Sequence, residues 1–127
     1  MNPHEEQARE LLAAAERDRL TFGILLRDSS APIETTLFHA QQAMEKGLKA
    51  ALVAEGVVFP RIHDLLELAG LAESHGMKVP VASDLMARLA PYAVEFRYLG
   101  VRAPEVGRDE AKLAVDAMLV WARREES

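Results

Sequence analysis

Residues 33–55, IETTLFHAQQAMEKGLKAALVAE, decide the fold. No proline interrupts them, and Gly47 is the one residue of low helix propensity. Ile33, Leu37, Ala40, Met44, Leu48, Ala51 and Leu52 recur at three- and four-residue steps. Such spacing places them on one face of an amphipathic helix, wide enough to sit against a core. A second stripe, Phe38, Gln42, Glu45 and Lys49, runs along a neighbouring face at similar steps. The first stripe accounts for folding; the second is the first candidate for function.

Working outward, the segment before this helix reads as another one. It starts near His4 or Glu5, with Asn2 and Pro3 as start signals and Glu5 and Glu6 suited to a helix N-terminus. Its expected inner stripe is Ala8, Leu11, Leu12, Ala15, Leu20, Ile24 and Leu25, with a shift of phase around residues 17–19. Arg27-Asp28-Ser29-Ser30-Ala31-Pro32 is a break made of turn formers and proline.

On the other side, Gly56 is placed to stop the long helix in the left-handed conformation. An apolar connection, 57–62, leads to His63-Asp64, where Asp64 and Glu67 have the spacing of a capping box. Leu65, Leu68, Ala69 and Ala72 then face inward, and Gly76 ends that helix. A fourth helix starts at Ser83 or Asp84 and is broken by Pro91, with a short helical continuation expected to Arg97. Residues 99–108, LGVRAPEVGR, read as a loop. Asp109 reads as the N-cap of a last helix with Ala111, Ala114, Val115, Met118, Leu119 and Ala122 inward. The whole is an all-α, up-and-down bundle of four to five helices, taken as a single domain over residues 1–127.

Composition narrows the function. The chain has 127 residues, half of them hydrophobic, which is enough for one core without staples. It has no cysteine, so disulfides, thiolate metal sites and a cysteine nucleophile are ruled out. The polar, acidic start is no secretory signal, and no apolar run reaches the roughly 20 residues of a membrane span. A cytoplasmic protein without membrane contact is expected. The net charge of −5 argues against tight non-specific nucleic-acid binding. A weakly basic stretch, with Arg88, Arg97, Arg102 and Arg108, is the exception in the second half.

Most catalytic constellations are missing. No Glu has a His three residues later, as a carboxylate-bridged dimetal bundle requires. There is no phosphate-cradling glycine loop, no His-Glu-x-x-His and no Gly-x-Ser-x-Gly. His4, His39, His63 and His75 are scattered, and His39 and His75 read as ordinary surface or edge residues. No metal, cofactor or catalytic residue is therefore assigned. The candidates for binding a ligand or partner are Gln42, Glu45, Lys49, His63, Arg97 and Tyr98, the polar groups that a bundle would bring together. Each also has a structural reading. Glu45 and Lys49 would make a surface ion pair at i,i+4, or Gln42 or Glu45 would cap the connection at 57–63 and hold the bundle end together. His63 would bond to backbone at a helix start, and Arg97 would pair with Glu45 or satisfy helix-end carbonyls.

HAQQAMEKGLKA at 39–50, PRIHDLLELA at 60–69 and VEFRYLG at 94–100 together resemble the small prokaryotic HEPN domain. The likeness runs from about Ala8 to Trp121. It implies a helical bundle, a homodimer, and a nucleotide-associated partner of a minimal nucleotidyltransferase in a toxin–antitoxin-type pair. It leaves two alternatives open: an RNA-cleaving toxin with an altered active site, and a non-catalytic nucleotide-binding dimer. Ribonucleases of related families carry an Arg followed four to six residues later by a His on the last helices. Here Arg97 is followed by Tyr98, Leu99, Gly100, Val101, Arg102 and Ala103, and no His follows His75.

Overall fold

In the computed structural model of the chain, which describes residues 2–59, 61–94 and 105–126, five α-helices and one 3-10 turn pack around a shared core. Asn2 starts α1 (Pro3–Leu26) by accepting the Glu5 N–H on its side chain at 2.8 Å, with Pro3 in the first turn. The turn to α2 (Ile33–Ala54) is locked by Asp28, which accepts from both the backbone and the hydroxyl of Ser30.

The inner face of α1 differs from the expected one. Ala8, Ala15 and Phe22 are buried at seven-residue steps, while Leu20 is 65% exposed and Ile24 is exposed with it. The helix is continuous through residues 17–19, so no phase shift rotates Leu20 and Ile24 inward. Gly23 does not break it either.

α2 stands at the centre, packed against α1, α3 and α5. Leu37, Ala40, Met44, Leu48, Ala51 and Leu52 are buried as the stripe requires, and Ile33 is partly buried against the core. Gly47 faces α5, where an added β-carbon would stand 3.4 Å from Leu119 Cδ1 and 3.5 Å from Met118 Cγ. The small residue lets the two helices approach closely. Gly56, at φ +73°, ends α2 as expected. Its N–H donates to the Val53 carbonyl and that of Val57 to the Leu52 carbonyl, the paired bonds of a Schellman stop.

α3 (Leu65–Ser74) is capped by Asp64, whose Oδ1 accepts from Leu66 N at 2.8 Å and Glu67 N at 3.2 Å. α4 (Ser83–Leu89) gives way at Ala90 to a 3-10 turn (Ala90–Ala93) around Pro91, burying Met86, Leu89 and Tyr92. The short helical continuation expected to Arg97 is seen as this 3-10 turn, which ends with Val94 extended; residues 95–97 lie outside the described residues.

α5 (Arg108–Glu126) starts one residue before Asp109, which lies in the first turn rather than at the cap. The Gly107 carbonyl takes the Ala111 N–H, and Glu110 Oε1 accepts the Gly107 N–H at 2.8 Å. Arg88, expected in a basic patch, is spent internally on Glu110, Asp84 and the Glu105 carbonyl. Arg102 lies outside the described residues. Arg9 pairs with Glu126, Glu16 with Arg123 and Arg19 with Asp116, so α5 runs antiparallel to α1. Among the described residues no helix is long and apolar enough to cross a membrane.

Candidate functional site

Gln42, Glu45 and Lys49 project from α2, and His63 arrives from the connection just before α3. The structure brings all four together, with Glu45 in the middle. Its Oε2 accepts from Lys49 Nζ at 3.0 Å and lies 3.2 Å from His63 Nδ1. Its Oε1 accepts from Gln41 Nε2 at 3.1 Å, and Gln41 Oε1 accepts in turn from Gln42 Nε2 at 2.6 Å. A chain of polar groups thus runs along one side of α2 for more than two turns.

Glu45 is 7% exposed, so its pair with Lys49 is not the surface ion pair that i,i+4 spacing suggested. The reason is position. α2 is the central helix, packed against α1, α3 and α5, and the connection before α3 brings His63 onto Glu45. A carboxylate in such a place is stable only when its oxygens are occupied. Here they are, and no described buried side-chain nitrogen or oxygen lacks a partner.

Gln41 was missed by the sequence reading. It is fully buried, and it orients the carboxylate from below. The signal was available: Gln41 falls four residues after Leu37 and four before Glu45, within the inward arc. Phe38 takes no part in the polar chain; its ring meets the His39 ring edge-on, at 5.2 Å between centroids.

His63 is held by side chains, not by the backbone bond expected of a helix-start residue. Its Nδ1 lies 2.9 Å from Lys49 Nζ as well as 3.2 Å from Glu45 Oε2. One ring nitrogen therefore faces both a cationic donor and an anionic acceptor. An unprotonated Nδ1 accepts from Lys49; an Nδ1–H donates to Glu45. The two bonds exclude each other, so the proton on His63 decides which one forms. The side chain is 68% exposed, which leaves the ring open to solvent on its outer side.

Beside this cluster opens a cleft of about 290 Å³, lined by Gln7 and Leu11 of α1, Lys49 of α2, and Phe59, Arg61, Ile62 and His63 of the connection. Arg61 is exposed there and forms no ion pair among the described residues. Arg97 and Tyr98 lie outside the described residues, and with them the expected pairing of Arg97 with Glu45.

His39, expected at the surface or an edge, lies half-buried at the edge between α1 and α2. Asp18 of α1 receives its Nδ1 at 3.0 Å and Lys46 Nζ at 2.5 Å, a second charged cluster that ties α1 to α2. His75 remains exposed at the end of α3. A larger groove of about 440 Å³ separates α1 from α5; of its charged residues, Glu16, Arg19, Lys112 and Asp116 are paired with one another, and Arg27 stands at its end. Among the described residues no group of three or more His, Asp or Glu could hold a metal ion.

Compared with protein families, residues 5–119 match the HEPN domain. Among curated proteins and among solved structures no match was found.

Proposed function

The chain belongs to the HEPN domain family, and from that membership we propose that it is the helical, nucleotide-associated partner of a minimal nucleotidyltransferase, in a pair of toxin–antitoxin type. It acts by binding, as a homodimer, with the Glu45 cluster as the place where nucleotide and partner meet the chain. The observation that carries this reading is Glu45 itself. A carboxylate sunk in the central helix, with Gln41, Lys49 and His63 fixed upon it, is a preorganised polar site beside an open cleft. Preorganised groups bind a ligand without ordering themselves first.

Association with protein is supported separately. Leu20 and Ile24 on α1 and Leu113 and Val120 on α5 are large apolar side chains left exposed on adjacent antiparallel helices. Large apolar side chains left exposed on neighbouring helices fit a contact surface. Affinity capture of the chain from its native cells, with mass spectrometry of what is retained, tests the reading. Near-equal recovery of a small nucleotidyltransferase is expected. Recovery of the chain alone, as a stable dimer, would overturn the partnership.

A further inference from the structure

We propose that the cleft beside α2 binds a phosphate monoester, the phosphate end of a mononucleotide, and that His63 takes up a proton as the ligand arrives. This rests on the reading above that the chain handles nucleotides, and it names which group is held and by what.

Three donors face the cleft: Arg61, Lys49 and His63. Arg61 has no ion-pair partner among the described residues, so its guanidinium offers its forked N–H groups to phosphate oxygens. Lys49 is tied to Glu45 by one of three N–H bonds, and its side chain still lines the opening. Phe59, half-buried and flanked by Leu11 and Ile62, supplies an apolar wall on which a base can lie. The cleft volume, about 290 Å³, stands at the lower end of small-ligand sites and suits one nucleotide better than a chain of them.

The charges agree with this ligand. Glu45 and Lys49 cancel, and Asp64 is turned onto the N–H groups that it caps at the start of α3. From α1 come only Gln7 and Leu11, which bring no charge. What remains is Arg61, together with His63 when protonated. A phosphate monoester carries about −1.5 to −2 at neutral pH, so the doubly positive site is its match.

The shared Nδ1 supplies the coupling. With Nδ1 bare, Lys49 donates to it at 2.9 Å, and the ammonium is held back. With His63 protonated, Nδ1–H donates to Glu45, Nε2–H is a second donor, and Lys49 is released from the ring toward the ligand. The added positive charge and the Nε2–H donor favour the anion, so anion and proton enter together.

Calorimetric titration of the full chain with AMP, adenosine and inorganic phosphate tests this. AMP is expected to bind saturably, at least about tenfold tighter than either of the others, since charged hydrogen bonds and base contact each contribute a factor of that order. Arg61→Ala should weaken AMP about tenfold and leave adenosine unchanged. Lowering the pH from 8 to 7 should tighten AMP, because the ring that carries the extra proton is the form that meets the anion. His63→Gln should abolish that pH dependence, whereas Arg61→Ala should keep it. Equal affinity for AMP and adenosine, equal affinity for AMP and inorganic phosphate, or a pH dependence unchanged in His63→Gln would each overturn the proposal. So would absence of saturable heat with AMP. If the chain still captures a nucleotidyltransferase in that case, the phosphate site fails and the partnership stands.

Discussion

The guanidinium of Arg88 grips the carboxylate of Glu110 with two parallel hydrogen bonds, Nη1 to Oε1 at 2.7 Å and Nη2 to Oε2 at 3.1 Å. Planar fork meets planar carboxylate, the geometry in which such pairs are strongest. The clasp joins α4 to the first turn of α5, and the Gly107 N–H adds a third bond to the same carboxylate.

That clasp makes stability depend on acid. The Arg88 hydrogen bonds, and then the Gly107 N–H, hold the Glu110 carboxyl at about 2 against an ordinary 4.5. The folded value lies below the unfolded one, so the contribution is complete above about pH 4.5 and is lost as the pH falls toward 2. Urea unfolding of the wild type and of Glu110→Gln should show a gap at pH 7 that narrows steadily below pH 4.5. A gap of constant size from pH 7 to pH 3 would remove this carboxylate from the acid response.

The register of α1 offers a sharp contrast between near neighbours. Phe22 is 2% exposed, and Phe22→Ala should cost about 3–5 kcal/mol by opening a cavity between α1 and the core. Leu20→Ala, two residues away on the outer face, should stay within about 0.5 kcal/mol. Denaturant midpoints of the two variants decide it. The opposite order would mean that Leu20 and Ile24 face inward in solution.

What the sequence made legible, and what it hid, follows from how far each signal reaches. The α2 stripe, the Gly56 stop and the Asp64 cap are local: periodicity, backbone conformation and a side chain bonding two or three residues ahead suffice to see them. The face of α1 was not legible, because Leu20, Phe22 and Ile24 are all apolar and only the small residues Ala8 and Ala15 mark the phase. The meeting of Gln42, Glu45, Lys49 and His63 was legible as a list, since three share a helix face and the fourth heads the next helix. The burial of Glu45 was not. It depends on how the neighbouring helices pack around α2, a tertiary outcome that i,i+4 spacing does not contain.

The glycines also separate by environment. Gly56 sits at φ +73°, where a β-carbon strains the backbone, and Gly56→Ala should cost about 1–2 kcal/mol. Gly23 lies inside α1, and a β-carbon there meets nothing within 4 Å. Gly23→Ala should therefore raise stability by about 0.4–1 kcal/mol, through the lower entropy of the unfolded chain. Thermal unfolding shifts of opposite sign are expected. A loss in both would mean that α1 needs the glycine for a contact made outside this chain.

Glu45 and Lys49 should behave as one unit. Their side chains are 9% and 13% exposed, so removing either leaves the other charged in a place with little water. Lys49→Met alone should cost about 1–3 kcal/mol, and so should Glu45→Leu alone. The double variant should lose clearly less than the sum, because an apolar pair replaces both charges and neither is left stranded. A coupling of about 0.5–3 kcal/mol in a double-mutant cycle is the expected result. Strict additivity would show that Lys49 reaches solvent freely and that Gln41 and His63 are enough to hold the carboxylate.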